Sequence, residues 1–154
     1  MADNEASEAE RRQVLELLPQ QRPFRFIDEI LELTENNIVS SYRFREDEYF
    51  YAGHFPADPV TPGVILIEAM AQAGLVALGI YLLQREDPTR QLRTLFSECS
   101  IEFFRVVAPG SQVTVAAERI YWRRNKLRSQ VEMRLHDGAI VASGCVSGMG
   151  VLLK

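Results

Sequence analysis

The chain has 154 residues, 47% of them hydrophobic and 25% charged, with a formal net charge of −4. That length suits one compact domain with its own core. The negative balance gives no general attraction for nucleic acid or an anionic membrane. Cys99 and Cys145 are too few for a disulfide framework and lack metal-type spacing, which fits a reduced, cytoplasmic setting.

Residues 1–10 are acidic and small, without the basic and apolar regions of a signal peptide, and are expected to be flexible. Residues 11–154 then form the single domain. Arg11 to Leu18 places Val14, Leu15, Leu17 and Leu18 on one side of a short helix that Pro19 ends. Phe26 to Leu33 and Ile38 to Phe44 read as strands joined by an Asn36-Asn37 turn. Arg45 to Thr61 breaks the pattern and is expected to be an ordered loop.

Thr61-Pro62 marks a helix start, with Thr61 as cap and Pro62 at the first helical position. The helix runs to about Gln84. From Val64 to Leu83 it is apolar enough to imitate a membrane span, but Glu68 and Gln72 interrupt it. A helix buried all round inside a soluble protein is the more economical reading. Gly74 and Gly79 weaken it intrinsically, so close packing against a sheet is their expected use.

The remainder is β. Leu127, Val131, Met133 and Leu135 alternate with Arg128, Gln130, Glu132 and Arg134, giving one dry and one wet face. Val113 to Trp122 and Ala139 to Val151 are the expected neighbours, with turns at Pro109-Gly110, Arg124-Asn125 and Asp137-Gly138. Two strands, one apolar helix and about four strands imply an α+β domain whose antiparallel sheet wraps the helix, a hotdog architecture. A helix so apolar calls for more cover than one sheet provides, which favours a dimer or larger assembly.

His54 sits among aromatic residues in Tyr49-Phe50-Tyr51-Ala52-Gly53-His54-Phe55-Pro56, where an imidazole held neutral can serve as a general base. Alone, it better fits a core histidine satisfied by a carbonyl. His136, in Leu135-His136-Asp137-Gly138, reads as a solvated turn residue. Glu68 lies in the second turn of the apolar helix, where desolvation favours the protonated carboxyl and so suits a general acid. Gln72, one turn on, faces the same side and can orient it. A buried polar network that only fixes packing is the competing reading. The helix start adds free N–H groups, Gly63 and Val64 among them, suited to a thioester carbonyl gaining charge.

Gly53-His54-Phe55-Pro56-x-x-Pro59-Val60-x-Pro62-Gly63-Val64, followed by Glu68 and Gln72, resembles the FabZ family of 3-hydroxyacyl-[acyl-carrier-protein] dehydratases. Leu17-Leu18-Pro19, Arg22-Pro23-Phe24, Ile27-Asp28 and Val107-Ala108-Pro109-Gly110 are similar to further parts of that family's pattern. The resemblance implies a hotdog homodimer, or a trimer of such dimers, with His54 of one protomer beside Glu68 of the other. It implies a (3R)-hydroxyacyl chain on the phosphopantetheine arm of acyl carrier protein as substrate, with no metal or redox cofactor. His54 and Glu68 are the implied catalysts, Gly63 N–H the implied carbonyl donor, and Val64 and Gln72 further binding residues. Glu68, where the FabA branch usually has Asp, favours simple dehydration over isomerisation.

Some positions depart from the family pattern. Gln20-Gln21 stands where His-Arg is often found, and Cys99-Ser100-Ile101-Glu102 lacks the usual basic residues before Pro109. Basic charge gathers instead in residues 119–128, read as a solvated hairpin or as a relocated docking patch. These changes point to a specialised lipid, polyene or polyketide pathway. A hotdog acyl thioesterase and a non-catalytic partner subunit are the alternatives.

Overall fold

The computed structural model describes residues 4–152. The first helix, α1, spans Glu8–Leu17 and begins three residues before the expected start. The cause is a reciprocal cap: Glu10 N donates to Ser7 Oγ at 3.1 Å, and Ser7 N donates to Glu10 Oε2 at 2.7 Å. Just before it, Ala6 is buried and its N–H donates to Leu33 O at 2.7 Å. The expectation of a flexible 1–10 is therefore corrected for Ala6 to Glu10, and residues 1–3 lie outside the described residues.

Strands β1 (Glu29–Leu33) and β2 (Asn37–Arg43) pair antiparallel. Phe26 and Ile27, expected at the start of β1, lie before it in the core. The Phe26 N–H does not join a ladder; it donates to Gln72 Oε1. The following loop contains one short 3-10 turn, Tyr49–Ala52.

The long helix α2 spans Gly63–Glu86. It is α-helical over Gly63–Ala71, widens into a π turn over Gln72–Ala77, and is α-helical again over Leu78–Glu86. Its start differs from expectation. The Thr61 hydroxyl does not cap it but shares a 2.7 Å hydrogen bond with Tyr51 Oη, and Pro62 O accepts the first helical N–H groups, those of Ile65 and Leu66. α2 is long and apolar enough to cross a membrane, yet 67% of its apolar window is buried inside this fold.

Four strands follow: β3 (Leu92–Phe103), β4 (Gln112–Arg123), β5 (Lys126–Leu135) and β6 (Ile140–Leu152). All pairings are antiparallel and the sheet order is β1-β2-β4-β5-β6-β3. β5 turns Leu127, Ser129, Val131 and Met133 into the core, in the alternation read from sequence. The sheet closes on α2 most tightly at Gly74, where an added Cβ would lie 2.9 Å from Val131 Cγ1 and 3.2 Å from Ala117 Cβ. Gly79 is looser, with Leu127 Cδ2 at 3.7 Å. Ser129, the one polar residue in the inward row of β5, donates to Gly74 O at 2.7 Å within the π turn. A helix inside a curled antiparallel sheet is the expected hotdog arrangement.

One edge of the sheet is β1 and the other is β3. On and after β3, Leu95, Phe96, Phe103, Phe104 and Val106 are all exposed. This long apolar edge has unpaired backbone groups on its outer side, the kind of surface that single sheets normally cover.

Candidate active site

The loop before α2 holds His54 by its ring. Nδ1 lies 3.0 Å from the Val60 carbonyl oxygen, so Nδ1 carries the proton and donates it there. In the neutral ring this tautomer puts the lone pair on Nε2, where a base needs it. The Val60 N–H returns a bond to His54 O at 3.0 Å, closing the loop on itself. Phe55 stacks on the imidazole with ring centroids 4.2 Å apart. A carbonyl partner was also the structural alternative for this histidine, and the bond occupies only one ring nitrogen.

Glu68 is held from the next helical turn. Gln72 Nε2 donates to Glu68 Oε1 at 3.0 Å and to Phe24 O at 2.9 Å, while Gln72 Oε1 accepts from Phe26 N at 2.7 Å. Gln72 is fully buried, so the segment after α1 and the carboxyl on α2 are locked by one side chain. Its alignment with Glu68 is legible in the four-residue spacing; its partners Phe24 and Phe26 are too distant in sequence to be read. Burial raises the Glu68 carboxyl above the usual glutamate range, against the lowering effect of the Gln72 bond. Glu68 thus tends to keep its proton, as a general acid must.

At the head of α2, the N–H groups of Gly63 and Val64 make no hydrogen bond among the described residues. The Phe103 ring reaches over this turn, with Cζ 3.2 Å from where a Gly63 Cβ would stand. Val64 is 72% exposed. The arrangement leaves two donors and the positive end of a helix dipole facing outward beside aromatic cover.

Glu68 borders a small cavity with Gln20, Ala71, Leu75, Val76, Thr94 and Phe96, and His54 does not line it. The basic hairpin is partly tied down. Arg119 donates to Asn36 Oδ1, Arg128 reaches Ser147 and Glu98, Arg123 lies over the Tyr121 ring, and Trp122 donates to Glu86. His136 is exposed in its turn.

Solved structures share this fold. One chain of the dehydratase heterocomplex ApeI:P from Xenorhabdus doucetiae matches with a TM-score of 0.74 over 90% of each chain, at 15% identity. A thioesterase from Haemophilus influenzae matches with a TM-score of 0.59 over 81% of this chain and 78% of that one, at 18% identity. At such identities the likeness is one of fold. The family is decided by sequence: the model for the FabA-like domain matches residues 18–145. The FabZ 3-hydroxyacyl-[acyl-carrier-protein] dehydratase of Myxococcus xanthus is 31% identical over 137 residues, covering 85% of this chain and 88% of its own. Those of Clostridium perfringens and Chlamydia caviae are 33% and 35% identical, over 136 and 116 residues. The chain belongs to the FabZ-type dehydratase family.

Proposed function

We propose that the protein removes water from (3R)-3-hydroxyacyl thioesters carried on acyl carrier protein, giving trans-2-enoyl thioesters. The observation that carries this reading is the His54 hydrogen bond to Val60, whose neutral tautomer presents Nε2 as a base, in a chain that also keeps Glu68 desolvated with its carboxyl raised above the usual glutamate range. His54 Nε2 takes the weakly acidic C2 proton. Gly63 N–H, with Val64 N–H beside it, holds the thioester oxygen as charge develops. Glu68 protonates the C3 oxygen as it departs, and Gln72 fixes the carboxyl beside the bound substrate.

The two catalytic groups come together when two copies pair. The apolar β3 edge supports that pairing, since a second copy would cover it and extend the sheet. His54 of one protomer then faces Glu68 of its partner, and a trimer of such dimers is the larger assembly considered. The setting is cytoplasmic, where carrier proteins and free thiols such as exposed Cys99 are found together.

The chain lacks basic residues at Cys99 to Glu102, and within its basic hairpin Arg119 is tied to Asn36 and Arg128 to Ser147 and Glu98, which leaves Arg123 and Arg124 exposed at the tip. This supports a dedicated carrier in a specialised pathway over a housekeeping one. The test supplies purified protein with 3-hydroxyacyl-carrier and follows enoyl formation by mass spectrometry. Wild type is expected to turn over, with His54→Ala and Glu68→Gln each impaired roughly a hundredfold or more. Release of free carrier thiol would indicate a thioesterase instead, and an inactive wild type would indicate a supporting subunit.

A further inference from the structure

Gln20 follows α1 and Pro19, at a position where the family pattern often has histidine. Its Oε1 is buried and accepts no hydrogen bond from any described residue. Buried polar side-chain atoms are nearly always paired, so an orphan of this kind asks for an explanation. Gln20 borders the cavity of about 50 Å³ that also contains Glu68. The other walls are Ala71, Leu75, Val76 and Phe96, all apolar, and Thr94, which contributes the third polar side chain. Glu68 Oε1 is bound by Gln72, while its Oε2 has no partner among the described residues. Such a cavity exceeds the roughly 10–15 Å³ that one water needs, and three polar side chains border it, with the Gln20 Oε1 itself set back in the wall.

We infer that Gln20 is a leaving-group-binding residue whose carboxamide turns out of the cavity wall to hold the oxygen that departs from C3 between itself and the Glu68 carboxyl. This rests on the dehydratase reading. In the step itself, His54 Nε2 accepts the C2 proton and the C2–H electron pair becomes the C2–C3 double bond. The C3–O bond breaks with its pair on oxygen, and the Glu68 proton moves to that oxygen, forming water. That water donates one O–H to the new Glu68 carboxylate and the other to Gln20 Oε1. His54 is left protonated and Glu68 ionised, and both are restored by proton exchange with solvent. Before elimination the C3 hydroxyl occupies the same place, and because a hydroxyl both donates and accepts, it satisfies either end of the carboxamide.

Gln20→Met keeps the side-chain length and removes the polar end. The expected result is a kcat/KM for the 3-hydroxyacyl carrier about tenfold lower, the worth of one neutral hydrogen bond, with part of the loss in KM because the ground-state hydroxyl is held there as well. Tm is expected to hold or rise, since the substitution removes an unpaired buried acceptor; a merely structural glutamine would do the opposite. Gln20→His keeps a polar nitrogen near that place and is expected to recover most of the rate, whereas Gln20→Ala is expected to match Gln20→Met. Full-rate turnover by Gln20→Met, or Gln20→His no faster than Gln20→Met, overturns the assignment while leaving an active wild type as a dehydratase. An inactive wild type overturns the dehydratase reading and this assignment together.

Discussion

The Gln72 carboxamide donates to Glu68 at 3.0 Å and, at its other contacts, closes on Phe24 O and Phe26 N at 2.9 and 2.7 Å. One fully buried side chain therefore joins the acid on α2 to the segment that follows α1. Gln72→Met would leave the buried Phe26 N–H without its partner, at about 1–3 kcal/mol, and would also free the Phe24 carbonyl, which lies nearer solvent. A stability loss of a few kcal/mol in chemical denaturation is expected, together with a sharp fall in kcat. A variant of wild-type stability would show that Phe24 and Phe26 find other partners.

Burial raises the Glu68 carboxyl, so the folded chain holds a proton over a pH interval in which the unfolded chain has lost it. In that interval the native state binds more protons, and stability falls as pH rises. Glu68→Gln removes the titration. It is expected to be more stable than wild type at neutral pH, with the advantage shrinking as pH falls toward the ordinary glutamate range. Denaturation midpoints at several pH values measure this. In wild type, dehydration is expected to slow as pH rises through the raised Glu68 value, because the acid form is consumed.

Gly74 faces Val131 and Ala117 across the tightest approach of helix to sheet. Gly74→Ala gains helix propensity but puts a methyl 2.9 Å from Val131 Cγ1, and overpacking is expected to win by about 1–3 kcal/mol. Thermal denaturation decides the sign.

Phe96 is 42% exposed at the β3 edge and also borders the Glu68 cavity. Leu95→Lys, a neighbour that does not line that cavity, separates assembly from chemistry. It is expected to shift sedimentation toward the monomer and to lose activity in parallel, with recovery at high protein concentration. An active monomer would refute the shared site.

Arg123 and Arg124 at the hairpin tip are exposed, the former against Tyr121. Reversing both to Glu is expected to leave KM for the carrier substrate within about twofold, as surface charges away from a partner do little. A KM rise that salt also produces in wild type would assign the hairpin to docking.

The parts of the fold that repeat locally were legible. β5 announced its two faces through residues 127–135, and α2 announced itself by unbroken apolarity between Thr61-Pro62 and Gln84. Glu68 and Gln72 were readable because a charge and an amide in such a run have no apolar role. The Ser7-x-x-Glu10 cap was equally present in the sequence but was obscured by the acidic composition around it. Thr61 misled because its hydroxyl had a long-range competitor, Tyr51, that helix-start patterns do not contain. β3 gives little alternation because most of both its faces is exposed in the single chain. Gln20 drew notice only as a departure from pattern; its buried oxygen is a matter of tertiary placement.

The π turn at Gln72–Ala77 lets one helix serve two masters. Each residue of an ordinary helix advances its neighbours by about 100°, and a widened turn absorbs one residue without that advance. The half that carries Glu68 and the half that carries Ile80 and Leu83 are consequently set at independent rotational phases, with Ser129 clasping the joint at Gly74 O. Deleting a single residue inside the turn would restore regular winding and swing one half out of alignment with the other, so the length of this segment is as much a requirement of the site as any side chain on it.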